Sequence, residues 1–365
     1  MRLVITGGGT GGHLFPGIAL AEGMLQRFPR GKVMFIGTDR HLDNQALAGK
    51  PFTVVALASR ALKGKSLLRQ LGALLQVPVS VWRAMQLLRQ FKPDLVFGVG
   101  GYVTGPVLLA ARLLGIRTAI HEQNSIPGLA NRMLGRIVDR IFVSLPGSEG
   151  FFPAAKVRLA GNPVRRELLA RAQETAAPHE RLTVLVLGGS QGARAVNRLV
   201  VEAVGQLAEK NRLNIIHQTG IHDAEWVKSG YNAAAVVARV EPFISDMAAA
   251  YGEADLIVSR AGATTLAEVT VFGRPAVLIP YPYAADDHQH HNARYLAEHG
   301  AALMADEAEL TGGKLAGMLA ELLADGEKRR LMATRARELG RPAATEIIIN
   351  ECLALAGAWT KDETP

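Results

Sequence analysis

A chain of 365 residues, 48% of them hydrophobic, is long enough to bury more than one core, and two domains is the natural expectation. A single cysteine, Cys352 in an apolar helical stretch, excludes an internal disulfide framework and fits a packed thiol in a reducing compartment. No run of about 18 apolar residues is present to span a bilayer, and the chain enters a strand at Arg2 without the regions of a signal peptide, so a cytoplasmic protein is expected.

The formal charge of +8 is localised. Between residues 44 and 93 there is no Asp or Glu, whereas Lys50, Arg60, Lys63, Lys65, Arg69, Arg83, Arg89 and Lys92 account for the whole excess. Leu62, Leu67, Leu68, Leu71, Leu74, Leu75 and Trp82 are interleaved with them. Basic residues mixed with apolar ones and an aromatic anchor point to an anionic membrane surface. The plainer alternative is an amphipathic helix covering a sheet, with its cations merely solvated. Nucleic acid is disfavoured, because no binding module or aromatic stacking pattern accompanies the charge.

In chain order, strands are expected near 2–6, 32–37, 53–57, 94–98, 117–121 and 140–143, with helical spacing between several of them. Such alternation predicts a parallel sheet covered on both faces. The first strand runs into Gly7-Gly8-Gly9-Thr10-Gly11-Gly12-His13, which formally satisfies G-x-G-x-x-G. With Asp39 after the second strand it gives a runner-up reading, an NAD-dependent oxidoreductase. That match is weak, since a run of glycines satisfies many patterns and Asp39 lies too far along.

Near Arg181 the pattern restarts. A strand at 182–187 leads into Gly188-Gly189-Ser190-Gln191-Gly192, again a glycine loop opening a helix. Asp94-Leu-Val-Phe in the first half and Asp255-Leu-Ile-Val in the second each lead through a glycine and a helix to another glycine. Two similar doubly wound domains are therefore expected, with Gly161-Asn162-Pro163-Val164 as a linker turn. Ligands bind beyond the carboxyl ends of such strands, so the two domains are expected to present their glycine loops to a common cleft.

The chemistry concentrates in residues 254–292. A strand at 255–259 ends in Arg260-Ala261-Gly262, a helix follows, and its unpartnered N–H groups suit a phosphate or sugar oxygen. Glu268, one turn in, fits two roles. Thr265-x-x-Glu268 has the spacing of a capping box; alternatively the carboxylate accepts hydrogen bonds from a ribose diol. After the strand at 275–279 comes Asp286-Asp287-His288-Gln289-His290-His291-Asn292. Neither a metal-finger spacing nor a HExxH helix accompanies these histidines, so no metal is expected.

The segments LVITGGGTGGHLFPGIALA, GVGGYVTGP, HEQNSIPGLANR, GNPVR, LGGSQGAR, SRAGATTLAEV and DDHQHHNA occur in the order seen in the MurG family, which the chain resembles over nearly its whole length. These are the UDP-N-acetylglucosamine–N-acetylmuramyl-(pentapeptide) pyrophosphoryl-undecaprenol N-acetylglucosaminyltransferases of peptidoglycan synthesis. The resemblance implies an α/β GT-B fold of two Rossmann-like domains, here 1–162 for the acceptor and membrane and 163–341 for the donor. The C-terminal helix near 342–357 is expected to pack back on the first domain. It implies inverting transfer of N-acetylglucosamine from UDP to lipid I, forming lipid II, by a peripheral enzyme at the cytoplasmic face of the cell membrane. A place in a cell-wall synthesis complex and roles in cell shape and division are implied with it. No cofactor is implied; UDP-N-acetylglucosamine is a substrate. One departure is His290-His291, where many relatives carry other residues, at the rim of the sugar pocket.

Carried onto this sequence, the resemblance implies that Thr10, Gly11 and Gly12 contact the donor from the first domain and that Asn124 lies at the cleft. In the second domain it implies Arg165, Ser190, Ile244, the segment Ala263, Thr264, Thr265, Leu266, Ala267 and Glu268, and Gln289. Glu268 would hold the ribose, Gln289 the hexose hydroxyls, and Arg165 and Ser190 would face the diphosphate, with Arg194 and Arg260 as helpers or as ordinary charges. Ile244 would let its backbone read the uracil edge, or is simply core. His13, with its near-neutral intrinsic pKa, and Glu122 compete for the role of base; His13 could alternatively cap its loop. A nonenzymatic UDP-sugar sensor is a third reading, disfavoured by the acceptor-side residues Tyr102, Thr104 and Asn124.

Overall fold

A computed structural model describes residues 1–38, 47–57, 67–174, 181–189 and 192–357, the side chains of 67–76 excepted. Asp39, Arg60, Lys63, Lys65 and Ser190, and the side chains of Arg69 and Leu67 to Leu75, therefore lie outside the described residues.

The chain divides into two compact units, residues 1–165 with 342–365, and residues 166–341. In unit 1 the strands are β1 (Arg2–Gly7), β2 (Lys32–Gly37), β3 (Thr53–Ala56), β4 (Leu95–Gly100), β5 (Arg117–Glu122), β6 (Arg140–Val143) and β7 (Val157–Leu159). They form one parallel sheet in the order β3-β2-β1-β4-β5-β6-β7. In unit 2, β8 (Leu182–Leu187), β9 (Leu213–Gln218), β10 (Val237–Glu241), β11 (Leu256–Ser259), β12 (Ala276–Leu278) and β13 (Ala302–Met304) form a second parallel sheet, β10-β9-β8-β11-β12-β13. Both are doubly wound, as expected, and the strand order reverses between β1 and β4 in one and between β8 and β11 in the other. Those switch points are where a doubly wound sheet opens for a ligand.

The central strands are apolar without alternation because helices cover both faces. All six residues of β4 are buried. On one face of the first sheet, α1 (Gly11–Arg27) packs with α13 (Ala344–Ala356), and Leu14, Ile18, Ile348, Ile349 and Leu353 share a core with Leu3, Ile5 and Phe35. On the other, α2 (Leu67–Phe91) and α3 (Thr104–Leu113) bring Val81, Leu88, Val107 and Leu108 onto Val4, Ile36 and Val96. The short α4 (Leu129–Leu134) follows β5. Cys352 is buried among these apolar groups, which pushes its thiol up and keeps it inert.

Unit 2 contains α5 (Arg166–Ala172), α6 (Arg194–Gln206), α7 (Ala224–Ala233), α8 (Met247–Glu253), α9 (Ala263–Phe272), α10 (His288–Glu298), α11 (Gly312–Ala324) and α12 (Gly326–Leu339). Val184, Val186, Val258 and Val277 form its core with Val196, Val200, Leu315 and Leu319. The helix α9 stops where expected, at Gly273 with φ 58°.

One sequence reading is corrected by the structure. The N-cap of α9 is Gly262, so Thr265 sits inside the first turn and Thr265-x-x-Glu268 is not a capping box. Unit 1 runs on through the linker turn to Arg165, whose guanidinium lies 4.8 Å over the ring of Phe15 on α1. Arg165 thus packs within unit 1. The turn belongs there because Asn162 is buried and the Gly161 carbonyl accepts a hydrogen bond from His121.

Candidate active site

In unit 1 the switch point is built from three loop ends. After β1, the chain turns through Gly7, Gly8 and Gly9 at φ of 151°, 131° and 86°, and Thr10 is the N-cap of α1 in an extended conformation, its side chain making no capping bond to the helix backbone. Its Oγ1 lies 3.2 Å from His13 Nδ1 instead. After β4, Gly100 and Gly101 have φ of 99° and 92°. A Cβ on Gly100 would sit 3.0 Å from His13 Nε2, and one on Gly101 would sit 2.7 Å from the Gly8 carbonyl. Only glycine lets the two loops close up. Thr104 ties them, its hydroxyl lying 2.9 Å from Gly100 O and 3.2 Å from Thr6 O.

The end of β5 supplies the third part. His121 is fully buried, and because Gly161 O can only accept, His121 Nε2 carries the proton, 3.0 Å away, while Nδ1 faces the Gln123 amide at 3.2 Å. Desolvation lowers its pKa to about 4, with His13 adding a smaller repulsion. His121 is therefore neutral at physiological pH and adds no opposing charge beside His13. Glu122 is only 2% exposed. Oε1 accepts from Asn124 N at 3.0 Å and Asn124 Nδ2 at 3.3 Å, and Oε2 from Asn131 Nδ2 at 2.8 Å and Gly128 N at 3.3 Å. Burial pushes the carboxyl up while these donors pull it down. Glu122 so organises the 124–128 loop.

In unit 2 the helix α9 opens just past β11 with Gly262, which has no side chain, as its N-cap and Ala263, Thr264 and Thr265 in its first turn. The first intrahelical bond from this turn runs from Leu266 N to Gly262 O, and helix starts of this kind attract anions. Leu266 and Glu268 are buried and Ala267 half-buried. Glu268 Oε2 accepts from Tyr251 OH at 2.9 Å, which fixes the carboxylate's orientation. Gln289, at the start of α10, accepts from Tyr281 N at 3.0 Å; only Oε1 can do so, which turns its Nε2 donors away from that contact. Ile244 is buried and its N–H donates to Gln218 Oε1 at 3.0 Å, so that this group is already committed.

Of the two suggested arginine helpers, Arg260 is a buried structural cation. It donates to Ile279 O and Pro280 O, pairs with Glu307 and lies over Tyr281. Arg194 is an exposed residue opening α6. The three histidines point to separate partners: His288 Nδ1 to Ala285 O at 2.6 Å and His290 to Asp306 at 3.2 Å, while His291 packs edge-on against His290. Sequence reasoning missed Tyr251, Asn131 and Gln218. Asn131 lies at the end of HEQNSIPGLANR, while Tyr251 and Gln218 lie outside the quoted segments, and the contacts of Tyr251, Asn131 and Gln218 span 17, 9 and 26 residues.

Two Rossmann-like units, each with glycine loops at its switch point, form an architecture that can hold a nucleotide at its strand ends. Residues 3–143 match the family model of the glycosyltransferase family 28 N-terminal domain, and residues 183–347 that of its C-terminal domain. The chain is 49% identical, over 97% of its own length and 96% of the relative's, to the UDP-N-acetylglucosamine–N-acetylmuramyl-(pentapeptide) pyrophosphoryl-undecaprenol N-acetylglucosamine transferase of Desulfotalea psychrophila. It is 47% identical to that of Myxococcus xanthus over 97% of this chain and 93% of that one. The crystal structure of Acinetobacter baumannii MurG matches with a TM-score of 0.78 at 34% identity, covering 97% of this chain and 99% of that one. A putative UDP-N-acetylglucosamine 2-epimerase from Listeria monocytogenes, at 14% identity and a TM-score of 0.71 over 100% of this chain and 99% of that one, shares the fold alone. The chain belongs to the MurG family.

Proposed function

We propose that this protein transfers N-acetylglucosamine from UDP-N-acetylglucosamine to the 4-hydroxyl of the muramyl residue of lipid I, forming lipid II with inversion. The observation that carries this reading is the near-full-length relation to transferases that bear the name of that reaction. The acceptor oxygen bonds to the anomeric carbon as the bond from that carbon to the UDP β-phosphate oxygen breaks, and the hydroxyl proton passes to a base. With Thr10 at Nδ1, we assign that role to His13 Nε2, and the neutral His121 behind it does not oppose the charge. Asn124, held by Glu122, faces the acceptor, and Thr10, Gly11 and Gly12 face the donor. In unit 2, Glu268 receives the ribose hydroxyls, Gln289 the hexose, and Ile244 marks the base loop. The start of α9 from Ala263 to Thr265, with Ser190 and Arg165, stabilises the departing diphosphate.

The acceptor's polyprenyl chain requires a membrane surface. Among the described residues no helix is long and apolar enough to cross a membrane. The described part of α2 exposes Val79 and Trp82 beside Arg83 and Arg89, a mixture that supports peripheral binding to an anionic leaflet, on the cytoplasmic face. Association with a cell-wall synthesis complex belongs to the same proposal.

The deciding measurement is UDP release from UDP-N-acetylglucosamine with and without a lipid-linked muramyl acceptor. Acceptor-dependent release, with lipid II formed in equal amount, is the expected result. Donor binding without release under either condition would leave a sugar-nucleotide sensor instead.

A further inference from the structure

The C-terminal end of β9 joins the two loops assigned to the two halves of the donor. Gln218 is the last residue of that strand and is buried. Its Nε2 donates to Gly189 O at 3.1 Å, in the glycine loop after β8, and its Oε1 accepts from Ile244 N at 3.0 Å, in the loop after β10. The amide orientation follows from its partners, since a carbonyl can only accept and a backbone N–H can only donate. The same glycine loop is pinned a second time. Gly192 N donates to Gly189 O at 3.0 Å, and Gly192, at φ 78°, lies so close to the next turn that a Cβ would come within 2.3 Å of Thr219 O. Thr219 is held in turn, its N–H donating to Glu241 O at 3.0 Å and its carbonyl accepting from Asn197 Nδ2 at 2.9 Å. Asn197 belongs to α6, the helix that the glycine loop opens, and it is locked by His217 and Asp223. The strand end is thus a fixed hub, and a single side chain spans from it to both loops.

We propose that Gln218 is a positioning residue for the donor, setting the spacing between the loop that meets the diphosphate and the loop that meets the uracil, so that recognition of the two parts is coupled. The inference rests on the donor-site reading above. A nucleoside diphosphate touches both loops and gains from the spacing; a nucleoside touches one. An amide that merely filled a space would affect stability and leave this difference unchanged.

The test compares Gln218→Met, which keeps the length and loses both hydrogen bonds, with Gln218→Asn, which keeps the amide but is too short to bridge, in the full chain. UDP and uridine are titrated calorimetrically, and turnover is followed against donor concentration. The expected result is a UDP affinity about tenfold weaker, the scale of two lost hydrogen bonds, with uridine weakened less than about threefold. The donor KM should rise in step while kcat at saturating donor stays within about twofold, because the bridge acts on binding and not on the reacting atoms. If either folded variant binds UDP like the wild type, or loses UDP and uridine affinity by equal factors, the coupling is refuted. Glu268→Ala serves as the separate control: undiminished UDP binding by that variant would overturn the site reading itself.

Discussion

Glu122 already accepts four hydrogen bonds, three from its own loop and one from Asn131 of α4, so taking a substrate proton would require giving up contacts that shape the site. His13 is half-buried at the start of α1, with its Nδ1 3.2 Å from Thr10 Oγ1. His13→Ala should therefore lower kcat by roughly 10² with the donor KM little changed, the scale of a general base. Glu122→Gln sets an NH₂ group against N–H donors and should chiefly raise the acceptor KM. A larger fall in kcat for Glu122→Gln than for His13→Ala would reverse the assignment. On the donor side, Glu268→Ala removes a buried carboxylate; the donor KM should rise at least about tenfold, as charged hydrogen bonds of about 1.5 to 3 kcal/mol are lost. Tyr251→Phe, which frees the carboxylate's orientation but leaves its charge, should give a smaller rise. A large drop in melting temperature with an unchanged donor KM would make the Tyr251–Glu268 pair purely structural.

Helix α13 comes from the far end of the chain yet completes the core of unit 1. Ile348, Ile349, Cys352 and Leu353 are buried there, and Glu351 lies 3.4 Å from Arg140 and 3.6 Å from Arg158. The close approach depends on Gly23 of α1, where a Cβ would meet Thr345 Cγ2 at 2.8 Å and Ile349 Cδ1 at 3.1 Å. Gly23→Val should therefore overpack the contact and cost about 1 to 3 kcal/mol. Ile349→Ala alone should cost about 2 to 5 kcal/mol through the cavity it leaves. Combined, the two changes should cost less than their sum, because the smaller residue admits the larger one. Additive losses in urea denaturation would mean that α13 does not bear on α1 at Gly23.

For the molecule as a whole, the proposed membrane contact rests on charge and apolar surface. The acid-free span carries the entire formal excess of +8, and Trp82 within it is 58% exposed. Each cation near an anionic leaflet contributes about 1 kcal/mol, so changing Lys63, Lys65, Arg69 and Arg83 to Gln should remove up to roughly 4 kcal/mol of attraction. Binding to anionic vesicles and activity on a bilayer-embedded acceptor should fall, and activity on a short-chain soluble acceptor should hold. Wild-type binding should weaken as salt screens the same charges. Vesicle binding by the quadruple variant equal to wild type would place the membrane contact elsewhere on the protein.

The doubly wound sheets were legible because their evidence is local: continuous apolar runs such as 95–100 and 182–187, each ending at glycines, repeated in both halves. The motif segments likewise identified the family, because they are contiguous in the chain. Strands with short or mixed patterns were not anticipated: β7 and β13, of three residues each, β10, with Arg239 and Glu241 on a sheet edge, and β9, whose apolar run is broken by Asn214, His217 and Gln218. Nor did spacing determine which hydroxyl meets Glu268, since a capping box and a buried Tyr251 contact leave the same letters at 265–268, and only the observed start of α9 at Ala263 separates them. Arg165, at the join between the units, stacks on Phe15 of the first. What the sequence determined by itself was the central strands and the helices that start at their glycine loops, because backbone hydrogen bonding and burial impose a period that neighbours share. The partners of the polar side chains at strand ends were decided only by the tertiary structure, because a side chain such as Gln218 finds its acceptor and donor on loops that become neighbours once the parallel sheet has closed.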